Sequence, residues 1–333
     1  MTKLISLEIC AGGGGQALGL EWAGFNHAAL VEIDKAACDT LSKNRPNWQV
    51  FDKSVLEFSA KGYKGIDLLA GGVPCPPFSK AGKQLGPDDE RDLFPEALRL
   101  VEECNPRAVM LENVRGLLDP IFDDYRETIA NKLRDLGYVP QWQLLKASDF
   151  GVSQLRPRAI LVAIKNKFAD NFSWPMPQLF AARTVGDILY DLMAEKGWRG
   201  VDDWRRKADS IAPTIVGGSK KHGGPDLGPT RAKQAWATLG VDGHGVANEA
   251  PAFDFVGRPR LTVRMIARIQ GFPDDWAFSQ GKTAAFRQVG NAFPPPVAYA
   301  VAKQIHACLL GQHSAKVFRQ SGHASKQAVL MTK

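Results

Sequence analysis

Three short stretches hold residues suited to chemistry. In Gly71-Gly-Val-Pro-Cys75-Pro-Pro-Phe-Ser79 a thiol sits between prolines, which keep it out of a helix interior and fix the direction of the chain. A stiff loop of that kind presents a nucleophile. Cys10, Cys38, Cys104 and Cys308 fall in apolar patterns and read as small buried hydrophobes. Glu112-Asn-Val114 follows an apolar run and places a carboxylate where a strand should end. In Gln154-Leu-Arg156-Pro-Arg158, alternate residues of an extended segment point to one side. Gln154, Arg156 and Arg158 should therefore converge on an electron-rich group.

A fourth stretch binds rather than reacts. The apolar run Leu4–Cys10 leads into Ala11-Gly-Gly-Gly-Gly15, and glycines before a helix let backbone approach a ligand closely. Glu32 and Asp34 end the next strand, where an acid can take ribose hydroxyls. Asp52 falls after a third strand segment and can accept from an adenine amine. Together they describe an adenosine-bearing cofactor. The glycine loop alone leaves NAD and S-adenosylmethionine equally open.

The elements that must position these residues alternate as βα units do. Strands are expected at 4–10, 28–33, 66–70, 108–112, 141–146 and 159–164, and helices at 16–23, 35–44, 92–103 and 123–136. That pattern predicts an α/β fold with a doubly wound, mostly parallel sheet and its ligands at the carboxyl ends of the strands. After Trp174-Pro-Met-Pro177 the rhythm is lost and Gly, Pro and Trp accumulate. We expect a catalytic and cofactor-binding domain at 1–179, a smaller domain at 180–281, a segment at 282–312 that rejoins the first domain, and a polar basic tail at 313–333.

The chain has 333 residues and a formal charge of +7. Residues 1–140 carry 16 basic and 21 acidic side chains, residues 141–275 carry 19 and 14, and residues 276–333 carry 7 and none. This asymmetry points to an anionic partner facing the second half. No apolar stretch reaches the roughly 18–20 residues of a spanning helix, and the first residues lack a signal-peptide pattern. Five widely spaced cysteines without a C-x-x-C pair exclude a disulfide framework and a zinc site. A reduced, cytoplasmic protein without a metal is expected.

In their order, the glycine loop with its acid, P-C-P-P-F-S, E-N-V, Q-x-R-x-R, Arg260-Leu-Thr-Val-Arg264 and Gln288-Val-Gly-Asn-Ala292 resemble the DNA (cytosine-5)-methyltransferases. The resemblance runs from Leu4 to about Ile305. It implies a Rossmann-like catalytic domain with a smaller DNA-recognition domain, and S-adenosylmethionine as cofactor. Cys75 would attack carbon 6 of a flipped cytosine, Glu112 would donate to ring nitrogen 3, and Arg158 would bind the carbonyl oxygen with Arg156 in support. The cofactor would lie against Cys10, Ala11, Gly12, Gly13, Gly15, Glu32, Ile33, Asp52, Pro74, Leu93 and Asn291. DNA would meet Ser79, Lys83, Gln84, Lys220, Lys221, His222, Arg231 and Lys233. The partners implied are double-stranded DNA and a restriction endonuclease that acts on the same site without a stable complex, with the enzyme a monomer. A transfer-RNA cytosine methyltransferase and a catalytically silent DNA-binding regulator of the same fold are the rival readings. Two positions depart from the pattern. Cys10 replaces an aromatic that stacks on adenine, and Met265 stands where the family has Glu.

Overall fold

A computed structural model describes residues 3–74, 92–217 and 224–312. The expectations for Cys75, Ser79, Lys83, Gln84, Lys220, Lys221 and His222 fall outside the described residues.

The chain runs β1 Leu4–Ile9, α1 Gly15–Trp22, β2 Phe25–Glu32, α2 Lys35–Asn44, β3 Val50–Asp52, β4 Leu68–Gly72, α3 Phe94–Cys104, β5 Ala108–Val114, α4 Asp123–Asp135, β6 Tyr138–Lys146 and β7 Pro157–Lys165. Then come α5 Asn166–Ala169, α6 Val185–Ala194, α7 Val201–Lys207, α8 Thr230–Thr238, α9 Val263–Ile269, α10 Gly281–Asn291 and α11 Pro295–Leu309. The seven strands pair in the order β3-β2-β1-β4-β5-β7-β6. From β3 to β5 all neighbours are parallel, whereas β7 runs antiparallel to both β5 and β6. The sheet is thus mostly parallel, as the βα rhythm predicts, with one reversed strand near an edge. Its order reverses between β1 and β4, where the following loops diverge and open a crevice at the strand ends.

Central strands in such sheets are buried on both faces and read as near-continuous apolar runs. In β5, Val109 and Leu111 join a core with α3 and α4, while Ala108 and Met110 join one with α1 and α11. β6 starts at Tyr138, three residues before the strand start expected from sequence, and includes Pro140. As the edge strand, β6 can hold a residue with no N–H to donate. Three-residue β3 is too short to show a period.

A third core gathers Leu189, Trp204, Trp236, Ile266, Trp276 and Phe286 among α6–α10. Pro295 and Pro296 occupy the first turn of α11, where a missing N–H costs nothing, and α11 packs back beside the sheet. At the start of α9, Thr262 Oγ1 accepts from Met265 N (3.2 Å), and Thr262 N donates to Met265 Sδ (3.4 Å). Sulfur thus fills the capping-box place of a carboxylate as a weaker acceptor.

Candidate active site

A cleft of about 520 Å³ opens at the carboxyl ends of β1, β2, β4 and β5. Cys10, Ala11, Gly12, Gly13, Gly15, Glu32, Ile33, Pro74, Leu93 and Asn291 all line it, together with Glu112. Residues far apart in the chain therefore meet because parallel strands deliver their following loops to one edge. Asp52 does not line the cleft. It ends β3 beside Glu32 of β2, but its carboxylate is 3.6 Å from Lys35 Nζ, and Lys53, Ser54 and Val55 form the wall there.

The glycine loop is shaped from both sides. Gly14 has φ +88°, and a Cβ there would lie 2.7 Å from Trp276. At Gly15 a Cβ would lie 2.2 Å from the Phe293 carbonyl oxygen. Trp276 Nε1 donates to Gly13 O at 3.0 Å, and Gln288 packs on Gly13. The third core and the α10–α11 corner thus clamp the loop against β1. Gln288 belongs to a motif visible in the sequence; Trp276 carried no such signal.

Carboxylates dominate the walls. Glu32 Oε2 accepts from Gly12 N and Oε1 from Asp34 N, each at 2.7 Å. Burial raises its pKa against the pull of those N–H groups. Glu8 is fully buried with neither oxygen in a hydrogen bond among the described residues. Burial, against the pull of the nearby Ala17 N–H and with the charge of Glu32 adding to it, holds its pKa well above the usual carboxylate range. Burial likewise pushes the Cys10 thiol up, so Cys10 is a neutral wall residue. The cationic lining residues are Lys53 and Arg287, and Arg287 Nη2 lies 3.4 Å from Asp34 Oδ2.

At the β5 end of the cleft, Arg158 Nε stands 2.6 Å from Glu112 Oε1. The register makes this contact: Glu112 pairs with Ile160 and Val114 with Arg158, so Glu112 and Arg158 are diagonal neighbours on one face. Asn113 Nδ2 donates to Val73 O at 2.8 Å, tying β5 to the end of β4. Leu93 N donates to Pro74 O at 3.2 Å. The chain before Cys75 and the chain after Arg91 therefore meet at the cleft.

The expected convergence of Gln154, Arg156 and Arg158 does not occur. Arg156 has φ +21°, which breaks the extended alternation. Its guanidinium is fully buried and donates to Ile215 O (2.7 Å), Gly290 O (2.8 Å) and Ala292 O (2.7 Å); Arg156 thus reaches the cleft only through the backbone of the lining residue Ala292 and does not line it itself. Gln154 Oε1 accepts from Ile215 N, and its Nε2 donates to Gln270 Oε1. Arg158 alone of the three meets Glu112.

Of the described DNA-contact candidates, Arg231 is exposed in the first turn of α8. Lys233 instead pairs with Asp226 at 2.8 Å. Arg260 pairs with Asp242 and Arg268 with Asp191. Much of the basic surplus between 230 and 270 is thus neutralised within the fold. Cys38, Cys104 and Cys308 are buried free thiols, as expected.

Residues 4–307 match the family described as C-5 cytosine-specific DNA methylase. Type II methyltransferase M.NgoMIV of Neisseria gonorrhoeae is 58% identical over 306 residues, covering 91% of this chain and 97% of that one. Type II methyltransferase M.NaeI of Lentzea aerocolonigenes is also 58% identical, covering 93% and 76%. A crystal structure named as a prophage-encoded DNA modification methyltransferase from Escherichia coli superposes with a TM-score of 0.66 at 26% identity, covering 92% of this chain and 100% of that one.

Proposed function

The chain belongs to the C-5 cytosine-specific DNA methylase family, and on that premise we propose that it methylates carbon 5 of a cytosine flipped from a specific duplex site, through a covalent Cys75 adduct. The contact between Glu112 and Arg158, beside the β4 end that leads into Cys75, carries this reading. Cytosine presents its carbonyl oxygen, ring nitrogen 3 and exocyclic amine along one edge. A carboxyl and a guanidinium in contact can span that edge, and a base inside a duplex cannot reach them without leaving the stack.

The cleft's charge supports S-adenosylmethionine over a dinucleotide. Glu8, Glu32 and Glu112 line it; a sulfonium and an ammonium favour the carboxylate form of such groups, whereas a pyrophosphate would oppose it. The orphaned Glu8 oxygens offer acceptors to such a cation. Glu32 retains lone pairs for a ribose, and Ile33 offers an exposed apolar surface for a base. When bound, the cofactor supplies an electrophilic methyl group on sulfur.

Carbon 5 of cytosine is a poor nucleophile until carbon 6 is attacked. The Cys75 thiolate forms the sulfur–carbon 6 bond, and the carbon 5–carbon 6 π pair becomes available at carbon 5. Glu112 gives a proton to ring nitrogen 3, so the ring does not hold the added negative charge. Arg158 holds the carbonyl oxygen. After methyl transfer, water takes the carbon 5 proton, the carbon 5–carbon 6 double bond reforms as the Cys75 thiolate leaves, and ring nitrogen 3 returns its proton to Glu112. Residues 180–281 would read the site, with Arg231 rather than Lys233 the described candidate exposed to reach DNA. Relatives named Type II methyltransferases support a modification role; an endonuclease of the same specificity, a monomeric state and a cytoplasmic place complete the proposal.

Trapping tests the reading. A library of duplexes carrying 5-fluorocytosine should form a covalent complex that requires S-adenosylmethionine, because fluorine cannot leave carbon 5 as a proton does. Absence of an adduct across the library, or an adduct that persists in Cys75→Ala, would overturn it.

A further inference from the structure

The three carbonyl groups held by Arg156 belong to two stretches far apart in the chain. Ile215 lies in the third core, on the stretch after α7 where Ala212 pairs with Gln154 in a β-bridge. Gly290 and Ala292 form the α10–α11 corner, which carries the cleft residues Asn291 and Phe293. Arg156 itself stands two residues before Arg158. Gln154 and Gln270 extend the joint, with Gln270 Nε2 donating to Ala292 O at 2.7 Å. Backbones approach closely at the same place: a Cβ on Gly217 would lie 2.5 Å from Asn291 Oδ1, and one on Gly290 would lie 2.4 Å from Gly217 Cα.

A buried guanidinium with only carbonyl partners is an expensive way to hold two loops, since burial opposes its charge. Its planar fork, however, fixes three acceptors in one geometry, which an ammonium on a flexible stem does not do. We propose that Arg156 is a positioning residue for target choice: it sets the smaller domain against the cofactor wall and the Glu112–Arg158 pair, so that only a correctly read duplex delivers its cytosine in register. This rests on the function proposed above. The predicted consequence is a change in which sites are methylated, beyond any change in how much.

Arg156→Lys, Gly217→Ala and the unaltered full chain are each expressed in a bacterial host that lacks cytosine methylation. Their methylated cytosines are mapped by bisulfite sequencing, and purified proteins are melted to confirm folding. One wrong base pair is normally rejected by on the order of ten- to a hundredfold. With the joint loosened, the share of methylation at sites one base pair away from the principal site should rise about tenfold. Gly217→Ala perturbs the joint without touching the Arg156 side chain and should relax the site in the same direction; it decides the matter if Arg156→Lys does not fold. A folded variant that methylates less but keeps the wild-type site profile would overturn the proposal, because a purely structural residue lowers the amount alone. No methylated cytosine from the unaltered chain would instead overturn the function beneath it.

Discussion

Replacing Glu112 with Gln, Arg158 with Gln, and both together separates what their contact does for the fold from what it does for the reaction. The charged atoms stand 2.6 Å apart, with side-chain exposures of 11% and 12%. Two unit charges at that distance attract by about 6 kcal/mol at an effective dielectric near 20. Desolvation of both groups cancels most of this, and removing one partner of a fully buried pair costs about 3–5 kcal/mol because the other is left unpaired. Glu112 lines an open cleft and neither side chain is fully buried, so each single substitution should destabilise the protein by about 2–3 kcal/mol. The double substitution leaves no orphan charge and should cost clearly less than the sum, with a coupling energy of about 2 kcal/mol. Denaturant unfolding of the four proteins measures this. In methyl-transfer assays, Glu112→Gln should lower kcat by about 10²–10⁴, the usual contribution of a positioned acid. Additive stabilities, with coupling below about 0.5 kcal/mol, would refute the pairing. A Glu112→Gln enzyme that keeps a tenth of the wild-type kcat would refute its catalytic part.

Glu8 should make cofactor binding pH-dependent. Its pKa is raised without ligand, a cation beside it favours the carboxylate, and binding therefore releases a proton. Affinity for S-adenosylmethionine should rise with pH by at most about tenfold per unit, and calorimetry should find a flatter slope in Glu8→Gln; an unchanged slope would remove Glu8 from the site. His27, held between Ser6 Oγ and the Ala17 carbonyl, has its pKa lowered by burial to about 4. Its stabilising contribution is therefore complete above the unfolded value near 6.5 and lost as pH falls towards 4, by about 3 kcal/mol. Urea unfolding at pH 7.5 and 4.5 should find a smaller acid loss in His27→Gln than in wild type, and equal losses would count against it. Gly15→Ala drives a methyl into the Phe293 carbonyl and should cost about 1–3 kcal/mol, as overpacking does. It should also weaken cofactor binding, and a variant matching wild type in both would show that the loop yields more readily than its contacts imply.

The sheet was legible because its strands are apolar runs of five or more residues joined by amphipathic helices. β3 was not, since three residues hold no period. The Pro140 end of β6 was hidden too, because its tolerance depends on lying at an edge. Glu32, Ile33, Pro74, Leu93 and Asn291 could be gathered from motif order alone, as parallel topology brings strand ends together. Asp52 could not be judged, because its bond to Lys35 depends on side chains rather than spacing. The sequence also counted positive charges without telling which were free: Lys233, Arg260 and Arg268 spend theirs on Asp226, Asp242 and Asp191.

Sequence by itself determined the residue types, their order, and hence the class of chemistry, because a thiol, an acid and an arginine at successive strand ends suit few reactions. Only the tertiary structure decided which arginine does what. Two residues separate Arg156 from Arg158, and alternation puts both on one face. A single positive φ turns Arg156 inward to three carbonyl groups from distant parts of the chain. The antiparallel register of β5 and β7 sets Arg158 beside Glu112. Neither the turn nor the register is written in local spacing, since both are fixed by partners more than forty residues away.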